Sequence, residues 1–145
     1  MATVRDMIRR KGGEVFGISP DATINEALES MARHNSGALL VMNGNTVVGI
    51  LSERDCVRKV DLKGRSMKDT RVGDIMTSNV IAVQCDQTVE ECENLMMEKS
   101  IRHLPVYDGE KLVGFLSVRD VLREVIDMQQ MMLSQLERYI TGGGR

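Results

Sequence analysis

An α+β fold built from two β-α-β-β-α units follows from three observations. First, GILSERDCVRKV (Gly49 to Val60) returns as GFLSVRDVLREV (Gly114 to Val125). The match runs without a gap from Ile18–Arg58 onto Val83–Arg123, at the spacing that separates Ser52 from Ser117. Second, each copy changes from short apolar runs to helical periodicity and back at corresponding places. Third, turn and cap signals recur with them. Two copies of a unit that cannot bury its apolar face alone are expected to pack on each other about a pseudo-two-fold axis, leaving two related clefts.

Each copy opens with a predicted strand, Val15-Phe16-Gly17-Ile18 and Val80-Ile81-Ala82-Val83. Thr23 with Glu26, and Thr88 with Glu91, give the capping-box pattern that starts a helix. Ile24, Ala27, Leu28 and Met31 then recur at helical spacing to about His34, as do Val89, Cys92, Leu95 and Met96 to about Lys99. Hairpins follow, with Asn43-Gly44 and Asp108-Gly109 at their tips. Ser52 and Ser117 are placed to cap a second helix in each copy. The predicted organisation is repeat 1 over 1–62, a polar linker over 63–71, repeat 2 over 72–126, and a helical extension with a flexible glycine tail (Gly142-Gly143-Gly144) over 127–145.

That last helix outruns its counterpart and is expected to reach Ile140. Val121, Val125, Met128, Met132, Leu136 and Tyr139 form a stripe close to heptad spacing. The stripe packs either on its own domain or on a second copy, and a homodimer is expected.

Composition excludes several functions. The 145 residues are 42% hydrophobic and 28% charged, with a formal net charge of −2. This is the balance of a soluble globular domain, without the basic surface that nucleic acid demands. No apolar run approaches the roughly 20 residues of a membrane helix. The segment MATVRDMIRRKGG lacks a signal-type apolar stretch, and Val4 to Ile8 is similar to Val72 to Met76, so it reads as folded structure. Cys56, Cys85 and Cys92 are three, an odd number that suits a reducing, cytoplasmic compartment. They are expected as small buried side chains, with redox sensing the alternative. With His34 and His103 the only histidines, no metal-ligand pattern arises.

The order glycine, two apolar residues, serine, two variable residues and aspartate at Gly49–Asp55 and Gly114–Asp120 resembles the cystathionine-β-synthase (CBS) domain. Val72 to Met76 is similar to that family's opening segment, and Arg102 to Val106 to its middle strand. The resemblance reaches about Ile126 and implies a stand-alone tandem pair of a kind that commonly dimerises. It also implies adenosine-containing ligands: AMP, ADP, ATP, S-adenosylmethionine or NAD. The physical reading agrees. A serine at a helix start lies beside free backbone N–H groups that suit a phosphate. The carboxylate three residues on is acceptor-only and can take both hydroxyls of a ribose. The competing reading is that each serine–aspartate pair merely caps its helix.

In CBS pairs the aspartate of one repeat faces the early strands of the other. The resemblance therefore implies a favoured nucleotide cleft of Ser52, Arg54, Asp55, Thr70, Val80, Ile81, Ile101, Arg102 and His103. Arg102 and His103 would be its phosphate donors, with Arg71 a further contact; the alternatives are a surface ion pair and a core histidine. The second cleft comprises Val15, Phe16, Ser36, Gly37, Ala38, Ser117, Arg119 and Asp120, with no cation beyond Arg119. No glycine-rich phosphate loop or nucleophile–base arrangement is present, so no catalytic residue, metal or catalytic cofactor is expected. The expected function is a regulatory nucleotide sensor that signals to an unidentified protein; the alternative is a dimeric scaffold with vestigial clefts.

Overall fold

The computed structural model describes residues 2–143 and divides into two compact units. One is Glu14–Ile81; the other joins the segment ending at Gly13 to the chain from Ala82 onward.

In the Glu14–Ile81 unit, β1 (Gly17–Ile18) lies parallel to β2 (Ala38–Asn43), which pairs antiparallel with β3 (Thr46–Ser52). α2 (Ile24–His34) joins β1 to β2 and is capped by the Thr23 hydroxyl, which accepts from the Glu26 amide at 3.2 Å. Its apolar face, Ile24, Ala27 and Met31, is buried against Leu39, Val41 and Leu51. After β3 the chain enters α3 (Glu53–Asp55), which widens without a break into a π-helical stretch, Cys56–Asp61. α4 (Val72–Ile75) closes the unit.

The other unit repeats this plan. β4 (Val83–Gln84) is parallel to β5 (His103–Asp108), and β5 is antiparallel to β6 (Lys111–Ser117). α5 (Val89–Lys99) joins β4 to β5, and α6 (Val118–Arg138) follows β6. Even the register irregularity recurs, at Val41/Met42 and at Val106/Tyr107. In each hairpin the glycine takes the first loop position with positive φ, +63° at Gly44 and +65° at Gly109, where a side chain would be strained.

α1 (Val4–Lys11) is capped by Thr3 and belongs with the second repeat's strands, whereas α4 belongs with the first's. The compact units are therefore not contiguous halves of the chain. The glycine that opens each repeated motif shows why. A Cβ on Gly114 would collide with Ile8 of α1, and one on Gly49 would lie 2.6 Å from Met76 Sδ and 3.0 Å from the Thr77 carbonyl. Each opening segment needs a bare backbone beneath it. The segment 63–71 is not a detached tether either: the Thr70 and Met67 carbonyls accept from the first amides of α2, at 3.0 and 2.9 Å.

Three expectations need correction. Val15 and Phe16 precede β1, and Val80 to Ala82 precede β4, because each ladder to the neighbouring strand holds only two residues. α6 ends at Arg138, and the chain winds on through Tyr139 and Ile140 before the helical path breaks at Gly142, where φ is +148°; Gly144 of the expected tail lies outside the described residues. The apolar stripe of α6 is also divided. Val121 is buried and Val125 half-buried within their own unit, whereas Leu136 and Tyr139 stand exposed.

Candidate functional site

Each unit carries one serine–aspartate pair where its third strand turns into a helix. In the Glu14–Ile81 unit, Ser52 ends β3 in extended conformation, so its hydroxyl faces the amides of the following turn. Ser52 Oγ accepts from the Asp55 amide at 3.1 Å, and the Ser52 amide donates to Asp55 Oδ2 at 3.2 Å. The Gly37 carbonyl takes the Glu53 amide at 3.0 Å. Lys59, one turn on, stands 3.4 Å from Asp55 Oδ1 and donates to the Ile75 carbonyl at 3.0 Å.

Ser117 and Asp120 are built alike but more tightly held. The Ser117 amide and hydroxyl donate to Asp120 Oδ2 at 2.8 and 3.0 Å, and Lys11 Nζ reaches the same oxygen at 2.8 Å. Lys11 also donates to the Phe115 carbonyl. Burial would raise the Asp120 pKa, but Lys11 and the Ser117 donors outweigh it and hold the carboxyl below its usual range. Met7, Arg10, Lys11, Asp120, Arg123 and Glu124 line a cavity of about 370 Å³ there. Arg10 is paired with Glu124 and, at 2.8 Å, with Asp127.

Sequence reasoning missed Lys11 and counted Arg119 as the only cation beside Asp120. The signal lay in the opening segments. The two are alike up to Ile8 and Met76, but one then runs on through Arg9-Arg10-Lys11 where the other has Thr77-Ser78-Asn79. The extra helical turn carries the lysine to Asp120.

The remaining predicted residues fall as follows. Ser52, Arg54, Asp55, Thr70, Val80 and Ile81 belong to the Glu14–Ile81 unit, as do Val15, Phe16, Ser36, Gly37 and Ala38. Ile101, Arg102, His103, Ser117, Arg119 and Asp120 belong to the other. Arg54, Arg102 and Arg119 are exposed, and Thr70 is buried beneath the start of α2. Arg71, also exposed, donates to the Asp21 carbonyl at 3.0 Å. Ser36 is folded onto its own turn, its hydroxyl donating to the Ala38 carbonyl at 2.7 Å. Phe16 stacks on His34 with ring centroids 3.9 Å apart. His103 stacks on Phe115 at 5.3 Å and pairs across the ladder with Ser117. Burial, then Lys11, push its pKa down to about 4, so the ring is neutral at pH 7. As a phosphate contact it could offer one N–H donor but no positive charge.

The cysteines are free and buried, with Cys56 and Cys92 pushed up to about 11 chiefly by burial. Among the described residues no cluster could hold a metal ion, and no helix is long and apolar enough to cross a membrane.

Comparison with known proteins places this geometry. The CBS domain model matches residues 4–62 and again 72–127. A mitochondrial CBS domain-containing protein of Arabidopsis thaliana is 37% identical, over 97% of this chain and 73% of its own length. The solved structure of a candidate signal-transduction protein with CBS domains from Burkholderia ambifaria superposes with a TM-score of 0.84. It is 40% identical, over 87% of this chain and 95% of that one. At the level of fold alone, a CBS domain pair crystallised with 5′-methylthioadenosine and S-adenosylmethionine gives a TM-score of 0.78 at 23% identity, over 88% and 98% of the two chains.

Proposed function

The chain belongs to the CBS domain family, and on that premise we propose that it is a regulatory module that binds an adenosine-containing ligand and reports it to a partner protein. AMP, ADP, ATP and NAD are the ligands to assay first. S-adenosylmethionine joins them because another pair of this fold holds it. The observation that carries the reading is the duplicated serine–aspartate pair: a half-buried carboxylate beside a helix start, twice, on matching elements.

The pairs differ in what they have left to offer. Asp120 Oδ2 already takes three donors, and a ribose would have to displace Lys11. Asp55 Oδ2 takes one hydrogen bond, from the Ser52 amide at 3.2 Å, and Lys59 stands 3.4 Å from Oδ1, which leaves acceptor capacity for ribose hydroxyls. The Asp55 site is therefore the working one, with Ser52 and Arg54 beside it. Val80, Ile81, Thr70, Ile101, Arg102 and His103 are its remaining proposed contacts. The Asp120 site, with Ser117, Arg119, Val15, Phe16, Ser36, Gly37 and Ala38, is the weaker one. No catalytic role is assigned to either. The module is proposed to act as a homodimer in a reducing, cytoplasmic setting.

Calorimetric titration of wild type, Asp55→Ala and Asp120→Ala with the five compounds tests this assignment. Binding abolished by Asp55→Ala and kept by Asp120→Ala is the expected result; the reverse dependence would sink it. The scaffold reading has one observation in its favour, that each serine–aspartate pair satisfies itself as a capping box. Absence of heat with every compound would favour it.

A further inference from the structure

The helix α6 and the turn after it carry a second apolar stripe, one step round from the one described above and sharing Leu136 with it. Leu122, Ile126, Leu133, Leu136 and Ile140 follow one another at steps of four, seven, three and four residues, with Gln129 filling the missing position. These five are 54%, 51%, 59%, 52% and 79% exposed. Their period is the 3.5 residues of a seam between two helices, and a seam of that period calls for another helix. Gln129 is the one polar residue of the seam.

We propose that this seam docks on α6 of a second copy of the chain, antiparallel. The inference rests on the homodimer reading above and names its surface. The flanks of the seam supply the argument. On one side lie Val125, Met132 and Tyr139; on the other lie Arg123, Gln130 and Glu137. An antiparallel pair matches each flank with its own kind. Val125 meets the partner's Tyr139, Met132 meets the partner's Met132, and Arg123 meets the partner's Glu137, twice by symmetry. A parallel pair would set apolar flank against polar flank, Met132 against the partner's Glu137 for example. Among the described residues Arg123 and Glu137 have no ion-pair partner within the chain. The charges at the two ends of the seam are thus available and complementary only in the antiparallel arrangement.

Sedimentation of the full chain tests the seam, and crosslinking tests its direction. Wild type is expected to be dimeric and Leu133→Glu monomeric, with an unchanged circular dichroism spectrum. Arg123→Glu and Glu137→Arg are each expected to weaken the dimer several-fold at low salt, and the double exchange to restore it. Gln130→Cys, which sits on the symmetry axis of the antiparallel pair, is expected to form an intermolecular disulfide, and Gln129→Cys is not. A dimer that survives Leu133→Glu overturns this inference and leaves the homodimer reading standing. A monomeric wild type overturns both. Crosslinking through Gln129→Cys without Gln130→Cys overturns the antiparallel direction.

Discussion

At the scale of single residues, the same chemistry is used twice with different surroundings, and the surroundings decide what each group can do. His103 carries the clearest pH signature. Its folded pKa of about 4 lies below the ordinary value near 6.5, so the unfolded chain binds the proton first as pH falls. Stability is therefore expected to drop by on the order of 2 kcal/mol between pH 7.5 and pH 5. Asp120 acts at lower pH: its depressed pKa contributes stability that is lost only as pH falls below the ordinary carboxylate range. Urea unfolding of wild type and His103→Gln across that window checks the first effect; an unchanged slope in the variant would contradict it. The thiols give a second test. Cys56 and Cys92, buried and pushed up to about 11, should resist a thiol reagent at pH 8 until denaturant is added. Rapid labelling of native protein would refute that burial. Both serine–aspartate caps were legible in the sequence because capping is local, a matter of residues three apart. Lys11 beside Asp120 was not, since it joins residues far apart in the chain and depends on one extra helical turn.

Between single residues and the whole lie the elements, where the repeat was a good guide to what is local and a poor one to what is not. α2 and α5 start and stop where cap and periodicity put them, and both hairpins carry their glycine at the turn. β1 and β4 are shorter than their apolar runs, because strand length is set by how much partner backbone is within reach. The stripe first read on α6 mixed two faces. Val121 and Val125 look inward at the start of the helix, and one step round the helix the exposed seam runs from Leu122 to Ile140. The placement of α1 beneath the second repeat's hairpin, and of α4 beneath the first's, could not be read from either copy alone. Its energetic consequence is open to measurement. Gly49→Ala would press a methyl group on Met76 and on the Thr77 backbone, which is itself bonded to Ile50 at 2.9 Å. The expected loss is about 1–3 kcal/mol. Chemical denaturation of Gly49→Ala, with Gly64→Ala as a glycine change that meets nothing within 4 Å, compares the two. Gly64 has φ +68°, so the control carries backbone strain of its own, and a larger loss at Gly49 is the discriminating result.

At the scale of the whole molecule, duplication gives two carboxylate sites, and divergence has set a lysine 2.8 Å from one carboxylate and 3.4 Å from the other. Sensing further requires that the ligand prefer one conformation; tight binding alone shifts nothing. Hydrogen exchange with and without ligand is therefore expected to change away from Asp55 as well as beside it, and protection confined to Ser52–Asp55 would argue for binding without signalling. Whether Asp55 holds an adenosine ligand is read from thermal unfolding with AMP, ADP, ATP, NAD and S-adenosylmethionine. A ligand at about 100 times its dissociation constant adds roughly 2.7 kcal/mol, or about 5–10 °C for a domain of this size. Such a rise is expected for at least one adenosine compound in wild type and in Asp120→Ala, and none in Asp55→Ala. No rise with any of the five at millimolar concentration, or a rise that Asp55→Ala leaves intact, would contradict it.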